Sequence, residues 1–94
     1  MTEEFVKNGN GFQKLDDNGN VVAEITYAPK DDNVVYANHT FVDPSLRGQG
    51  VAERMLDHMV AELKKEGKKI IPQCSYVVAQ FERKPEKYAD VIAE

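Results

Sequence analysis

The stretch Asp43-Pro44-Ser45-Leu46-Arg47-Gly48-Gln49-Gly50-Val51 constrains this chain more than any other. Before it, apolar residues recur with the period of a strand; after it, with the period of a helix. Val34–Val42 is rich in Val, Tyr, Phe and Thr, as a strand is. Beyond it, Val51, Ala52, Met55, Leu56, Met59, Val60 and Leu63 fall on one helical stripe, with Glu53, Arg54, Asp57, Lys64 and Lys65 opposite. Two glycines and an arginine stand at the junction. Glycine at a helix entrance is costly unless the backbone must come close to something. The first turn of a helix leaves N–H groups without partners, and these bind anions, phosphates above all. One glycine is enough for a tight strand-to-helix turn. Two, with Arg47 in register, favour anion binding.

The rest of the chain reads around that junction. Residues 5–7 suggest a short edge strand and 12–15 a second, with Asn8-Gly9-Asn10-Gly11 turning between them. Residues 16–20, Asp-Asp-Asn-Gly-Asn, form a hairpin turn signal, because Asn and Gly tolerate positive φ. Residues 21–27 alternate, with Val21, Ala23, Ile25 and Tyr27 on one face and Val22, Glu24 and Thr26 on the other. Gly67 suits the residue just past a helix end. Residues 69–73 return to strand character, 75–82 read as a short helix with Val77, Val78 and Phe81 inward, Pro85 breaks it, and 88–92 form a last apolar piece. The fold class expected is therefore α+β (mixed α/β): a mixed, mainly antiparallel sheet whose fourth and fifth strands are parallel, joined by a crossover helix.

At 94 residues the chain is one domain, residues 1–94. A chain of that size buries only about 60–65% of its unfolded surface, so there is one small core. Its apolar 41% and charged 30% are those of an ordinary globular protein. A net charge of −4 argues against nucleic acid as partner. Lys64, Lys65, Lys68 and Lys69 read as a solvated helix end favoured by the helix dipole. The single cysteine, Cys74, excludes an intramolecular disulfide. The opening MTEEFVKNGN does not read as a secretory leader, and no apolar run approaches a membrane span, so a cytoplasmic protein with no membrane partner is expected.

Arg47-Gly48-Gln49-Gly50-Val51-Ala52 is neither a Walker loop nor a dinucleotide fingerprint, since the Lys-Ser/Thr of one and the third glycine of the other are missing. It fits Q/R-x-x-G-x-G/A, with Arg47, Gly50 and Ala52 at the defining positions. In this it resembles the acyl-coenzyme A pyrophosphate loop of the GNAT superfamily of N-acetyltransferases. His39-Thr40-Phe41-Val42-Asp43-Pro44 is similar to the fourth strand of that superfamily running into the loop, and "IIPQCSY" and "KPEKYADVI" resemble a compact branch with a reduced N-terminal part. The resemblance implies an acetyl-CoA-dependent acyltransferase acting on an amine, possessing no metal, and a monomer or weak homodimer. It implies main-chain contacts from Phe41 and Val42 to the pantetheine arm, backbone contacts from Arg47, Gly48, Gln49, Gly50, Val51 and Ala52 to the pyrophosphate, and a contact from Ser75.

His39 and Cys74 have two readings. By strand parity His39 goes with Val35, Ala37 and Phe41, as a core histidine would, and a lone cysteine is commonly a small buried hydrophobe. The resemblance instead implies that both stand near the thioester, His39 as general base and Cys74 as nucleophile or general acid. Many superfamily members carry a tyrosine acid in the following helix; the nearest equivalent here is Phe81, with Tyr76 too early. Members also wall the acceptor site with helices after the first strand, for which residues 8–22 leave no room. An open acceptor side, suited to a bulky acceptor such as a protein amine or a polyamine, or to a wall supplied by a partner subunit, is the expectation. The alternative is an acyl-CoA-binding or sensing module without turnover.

Overall fold

The computed structural model describes residues 5–93. The elements run β1 (Val6–Lys7), β2 (Gly11–Leu15), β3 (Val21–Pro29), β4 (Val34–Val42), a 3-10 turn (Pro44–Leu46), α1 (Val51–Lys65), β5 (Lys69–Pro72), α2 (Ser75–Arg83) and α3 (Pro85–Tyr88). The strands form one sheet in sequence order, antiparallel from β1 to β4 and parallel between β4 and β5. The mixed α+β architecture expected from the alternation and the helical stripe is the one observed.

The core lies between one face of the sheet and the helices. Ala23, Ile25, Tyr27, Val35, Ala37 and Ile70 meet Val51, Met55, Leu56, Met59 and Leu63 of α1 and Val77 and Phe81 of α2. Tyr88 and Val91 close the group, with Tyr88 stacked on Phe81 at 4.7 Å. α1 stops where Gly67 takes φ +74, and the N–H groups of Gly67 and Lys68 return to the carbonyls of Lys64 and Leu63. That paired closure needs a left-handed residue, which glycine adopts without strain. Pro85 does more than break α2. It starts α3 at the first helical position, where a missing N–H costs nothing. Past α3 the chain docks on the outer edge of β5: Ile92 bridges Ile70, and Ile70 bonds to Val91 and Ala93.

One irregularity decides what faces what. In the β3/β4 pair Thr26 lies opposite His39, but Tyr27 lies opposite Ala37, so Asn38 is an extra residue. The Thr26 hydroxyl donates to Asn38 Oδ1 at 2.7 Å. An inserted residue reverses the alternation beyond it. Val35 and Ala37 face the helices, and after the bulge Thr40 and Val42 do. His39 and Phe41 face the other way and are exposed. The expected parity of His39 with Ala37, and with it the core histidine, is therefore incorrect. The opposite face of the sheet, with Glu24, Thr26, Tyr36, His39 and Phe41, has no buried residue on β3 or β4.

Candidate functional site

The parallel pairing of β4 with β5 stops at Ala37 opposite Pro72. Gln73 and Cys74 donate their N–H groups to the Ala37 carbonyl at 3.0 and 2.9 Å, and then the chain turns into α2. β4 continues alone to Val42. Its β5-facing edge past Ala37 has no strand partner among the described residues. Into the gap open the start of α1 and one face of α2.

The loop after β4 is built by its own side chains. Asp43 Oδ2 accepts from the Ser45 N–H at 2.9 Å and from the Ser45 hydroxyl. These bonds hold the Asp43 carboxyl below its usual range, the hydroxyl contributing most. Gln49 Nε2 turns back to the Ser45 carbonyl at 3.3 Å, and Arg54 Nη1 donates to the Gln49 carbonyl at 2.6 Å. Gly48 and Gly50 have φ of +84 and +74. Gly50 is the N-cap of α1, and among the described residues no side chain caps that helix. Its first N–H groups are left for something outside the chain, with the positive end of the helix dipole behind them.

The result is a cleft of about 510 Å³. Of the expected residues, Val42, Arg47, Gly48, Gly50, Val51 and Ala52 line it. Phe41 lies on the far face of β4, Gln49 is engaged with the loop, and Ser75 is exposed at the start of α2; none of the three lines the cleft. The cleft adds residues that sequence reading missed: Leu46, Glu53, and Tyr76, Gln80 and Arg83 of α2. Tyr76, Gln80 and Arg83 are spaced for one helical face, which was the available signal. Phe81, the expected stand-in for the superfamily's tyrosine, is buried against Tyr88 instead, and Tyr76 has the place in the cleft wall.

Arg47 and Arg83 bring positive charge from two sides. Glu53, the acidic residue among them, is held by Lys84 and by Lys87 at 3.2 Å, and Lys87 also reaches Asp57 at 2.8 Å. Lys84 first, then Lys87, lowers the Glu53 carboxyl below its ordinary value. Tyr88 donates to Asp57 Oδ1 at 2.8 Å, so the network ties α1 to α2 and α3. Burial, then the Glu53 charge, raises Tyr76 above the usual phenol value.

Cys74 and His39 sit at the same end of the sheet in different settings. Cys74 is half-buried at the N-cap of α2, and its Sγ donates to Thr40 Oγ1 at 3.4 Å. Burial alone would push the thiol up. The Thr40 hydroxyl and the N–H groups of Tyr76 and Val77 outweigh it, and the thiol is held below its ordinary value. His39 lies one residue from Thr40 but on the opposite face of β4. His58 of α1 packs edge-on against Phe12 at 4.9 Å and beside Phe5.

A family model for GCN5-related N-acetyl-transferases matches residues 11–91. The chain belongs to the GCN5-related N-acetyltransferases. Among solved structures, a GCN5-like protein of Staphylococcus aureus, assigned as an N-acetyltransferase, is 35% identical over 99% of this chain and 91% of its own, with a TM-score of 0.80. The Escherichia coli family member YhbS, solved in complex with CoA, is 25% identical over 66% of this chain and 38% of its own, with a TM-score of 0.61. The Escherichia coli ribosomal-protein-S18-alanine N-acetyltransferase, at 20% identity and a TM-score of 0.62, covers 88% of this chain, which spans 53% of it. That last likeness is one of fold. Among curated proteins nothing matches significantly. The chain spans 91% of the Staphylococcus aureus protein but 38% of YhbS and 53% of the S18-alanine enzyme.

Proposed function

We propose that this chain transfers the acetyl group of acetyl-CoA to an amine, with the coenzyme in the cleft and the acceptor arriving from the uncovered face of the sheet. The observation that carries the reading is the uncapped start of α1, flanked by Gly48, Gly50 and Arg47, at the point where β4 and β5 part. The backbone N–H groups there suit the pyrophosphate, with Arg47 and Arg83 as counter-charges. The partnerless edge of β4, through the Val42 main-chain groups, suits the amides of the pantetheine arm; the Phe41 groups turn to β3 opposite Glu24, in step with the Asp43 N–H on the Val22 carbonyl. An N–H of that edge also suits the thioester oxygen as charge develops on it.

His39 is the proposed base and Cys74 the proposed acid. The amine nitrogen attacks the thioester carbon, His39 takes the amine proton, the carbon–sulfur bond breaks, and Cys74 or a water protonates the leaving thiolate. The direct route is favoured over an acetyl-cysteine because Cys74 has Thr40 as its partner, while His39 points to the other face. The uncovered face suits a bulky acceptor, a protein amine or a polyamine.

The test is coenzyme A release from acetyl-CoA with peptide and polyamine acceptors, comparing the wild type with His39→Ala, and with CoA binding measured in the same samples. A fall in kcat of about 10²–10⁴-fold with CoA affinity kept is expected of a lost general base. Intact-mass measurement should show no stable acetyl on Cys74. CoA binding with no release for any amine would favour a sensing module, and a hydroxylamine-labile acetyl on Cys74 would favour the covalent route.

A further inference from the structure

Gln80 is a polar residue in an apolar position. It is 6% exposed, on the face of α2 that lines the cleft. Its Nε2 donates to the Tyr76 hydroxyl oxygen at 3.1 Å. Its Oε1 is buried and has no hydrogen-bond partner among the described residues. A buried acceptor left unmet is destabilising, and native proteins keep few of them without a reason. In the wall of a cleft, the reason is a donor that arrives with a ligand.

The neighbouring hydroxyl sharpens this. Tyr76 Oη already accepts from Gln80, so its own proton is free to be donated. A phenol is protonated at neutral pH, and burial raises this one above its ordinary value. One turn of α2 therefore offers the cleft an acceptor, Gln80 Oε1, and a donor, Tyr76 O–H. A phosphate or a thioester has no N–H to give to Oε1. A single trans amide points its N–H and C=O in opposite directions, so one wall cannot take both groups of one amide; a turned two-methylene link brings the N–H of one amide and the C=O of the other to the same wall. The pantetheine arm has two such amides, separated by two methylene carbons.

We infer that Gln80 and Tyr76 read the two-amide segment of the pantetheine arm, Gln80 Oε1 accepting an amide N–H and Tyr76 donating to the carbonyl of the adjacent amide. The inference rests on the coenzyme reading above. It places the arm between two readers, the free edge of β4 on one side and this turn of α2 on the other, so the outward-pointing groups of both amides are met. It also gives these residues a positioning role: they fix how far the thiol end extends toward Thr40 and Cys74.

The experiment is calorimetric titration of wild type and Gln80→Met with three probes: CoA, CoA analogues in which each amide N–H in turn is an ester oxygen, and adenosine 3′,5′-bisphosphate. Methionine keeps the volume and removes the acceptor. Wild type should lose about tenfold in affinity for one ester analogue. Gln80→Met should bind CoA about tenfold more weakly and treat that analogue and CoA alike. Adenosine 3′,5′-bisphosphate, with no arm, should bind both proteins equally, which also shows that the variant is folded. Wild type binding both ester analogues as it binds CoA overturns the inference. So does a variant whose losses for both ester analogues match those of wild type. If wild type binds neither CoA nor the bisphosphate, the coenzyme reading itself falls and takes this one with it.

Discussion

α1 and α2 each follow a strand of the parallel pair, and each presents the positive end of its dipole to the same region. They use it differently. α1 begins after a loop, residues 43–50, with a left-handed glycine and no cap. α2 begins two residues after β5, with Cys74 as its N-cap and Thr40 against the thiol. The first arrangement leaves N–H groups open to the proposed pyrophosphate. The second spends them on a group of the chain itself, lowering a thiol that burial would raise. Side-chain choice at one position, set by the approach of the preceding strand, separates a receptor from a reactive group.

That contrast can be broken at α1 first, where the effect is largest. Gly50→Asp puts a carboxylate at the start of α1 beside Arg54, whose Nη1 lies 3.1 Å from where a Cβ would stand, in a left-handed conformation that Asp and Asn strain less than other side chains. CoA affinity measured by calorimetry should fall at least about 100-fold, since opposed like charges cost several kcal/mol. Gly50→Asn, of the same shape without the charge, should lose about tenfold or less. Equal losses would mean that shape, and not charge, governs the site.

At α2 the effect is smaller and reads out in pH. The rate of Cys74 alkylation by iodoacetamide should rise with a midpoint below that of the denatured chain. Thr40→Val should move the midpoint up by removing the hydroxyl that favours the thiolate. The sign for stability follows: the folded thiol releases its proton first, so this contribution grows as pH rises through the folded value and is lost as pH falls. A midpoint unmoved in Thr40→Val would leave the helix N–H groups as the whole cause.

The smallest effect is at Glu53, which lies between the two helix starts. Its carboxyl is lowered by Lys84 and Lys87, so its contribution is present above the ordinary carboxylate value and disappears as pH falls through the lower folded value. Glu53→Gln should lower stability at neutral pH by a small amount, as expected for exposed ion pairs, and flatten the acidic limb of a thermal-melt series by the same amount. A large loss at neutral pH would show that the network holds α2 against α1.

The strands and α1 were legible because each carries its own period. β4 runs over Val34–Val42 as the sequence pattern predicts, and α1 starts at the glycine. The direction of His39 was not legible. Asn38, His39 and Thr40 are all polar, so an inserted residue leaves no mark in an apolar pattern, and only pairing with β3 reveals it. In α2 the inward stripe of Val77 and Phe81 was readable, whereas Tyr76, Gln80 and Arg83 look like any solvated face until the loop after β4 is set opposite them. His58 likewise finds Phe5 and Phe12 only through tertiary packing. The proposed anion site rests on residue type, because no other arrangement explains paired glycines beside an arginine so economically.

The short segment that docks on β5 has a consequence for how the protein behaves in concentrated solution. Lys69–Pro72 carries Ile70 and Ile71, and a bare strand edge of this kind recruits other chains. Here Val91, Ile92 and Ala93 occupy it, with Lys69 Nζ clasping the Asp90 carbonyl at 2.6 Å. A chain cut before Val91 would keep every residue that lines the cleft. Its first failing would be aggregation, with strands of neighbouring molecules taking the position that the tail had guarded.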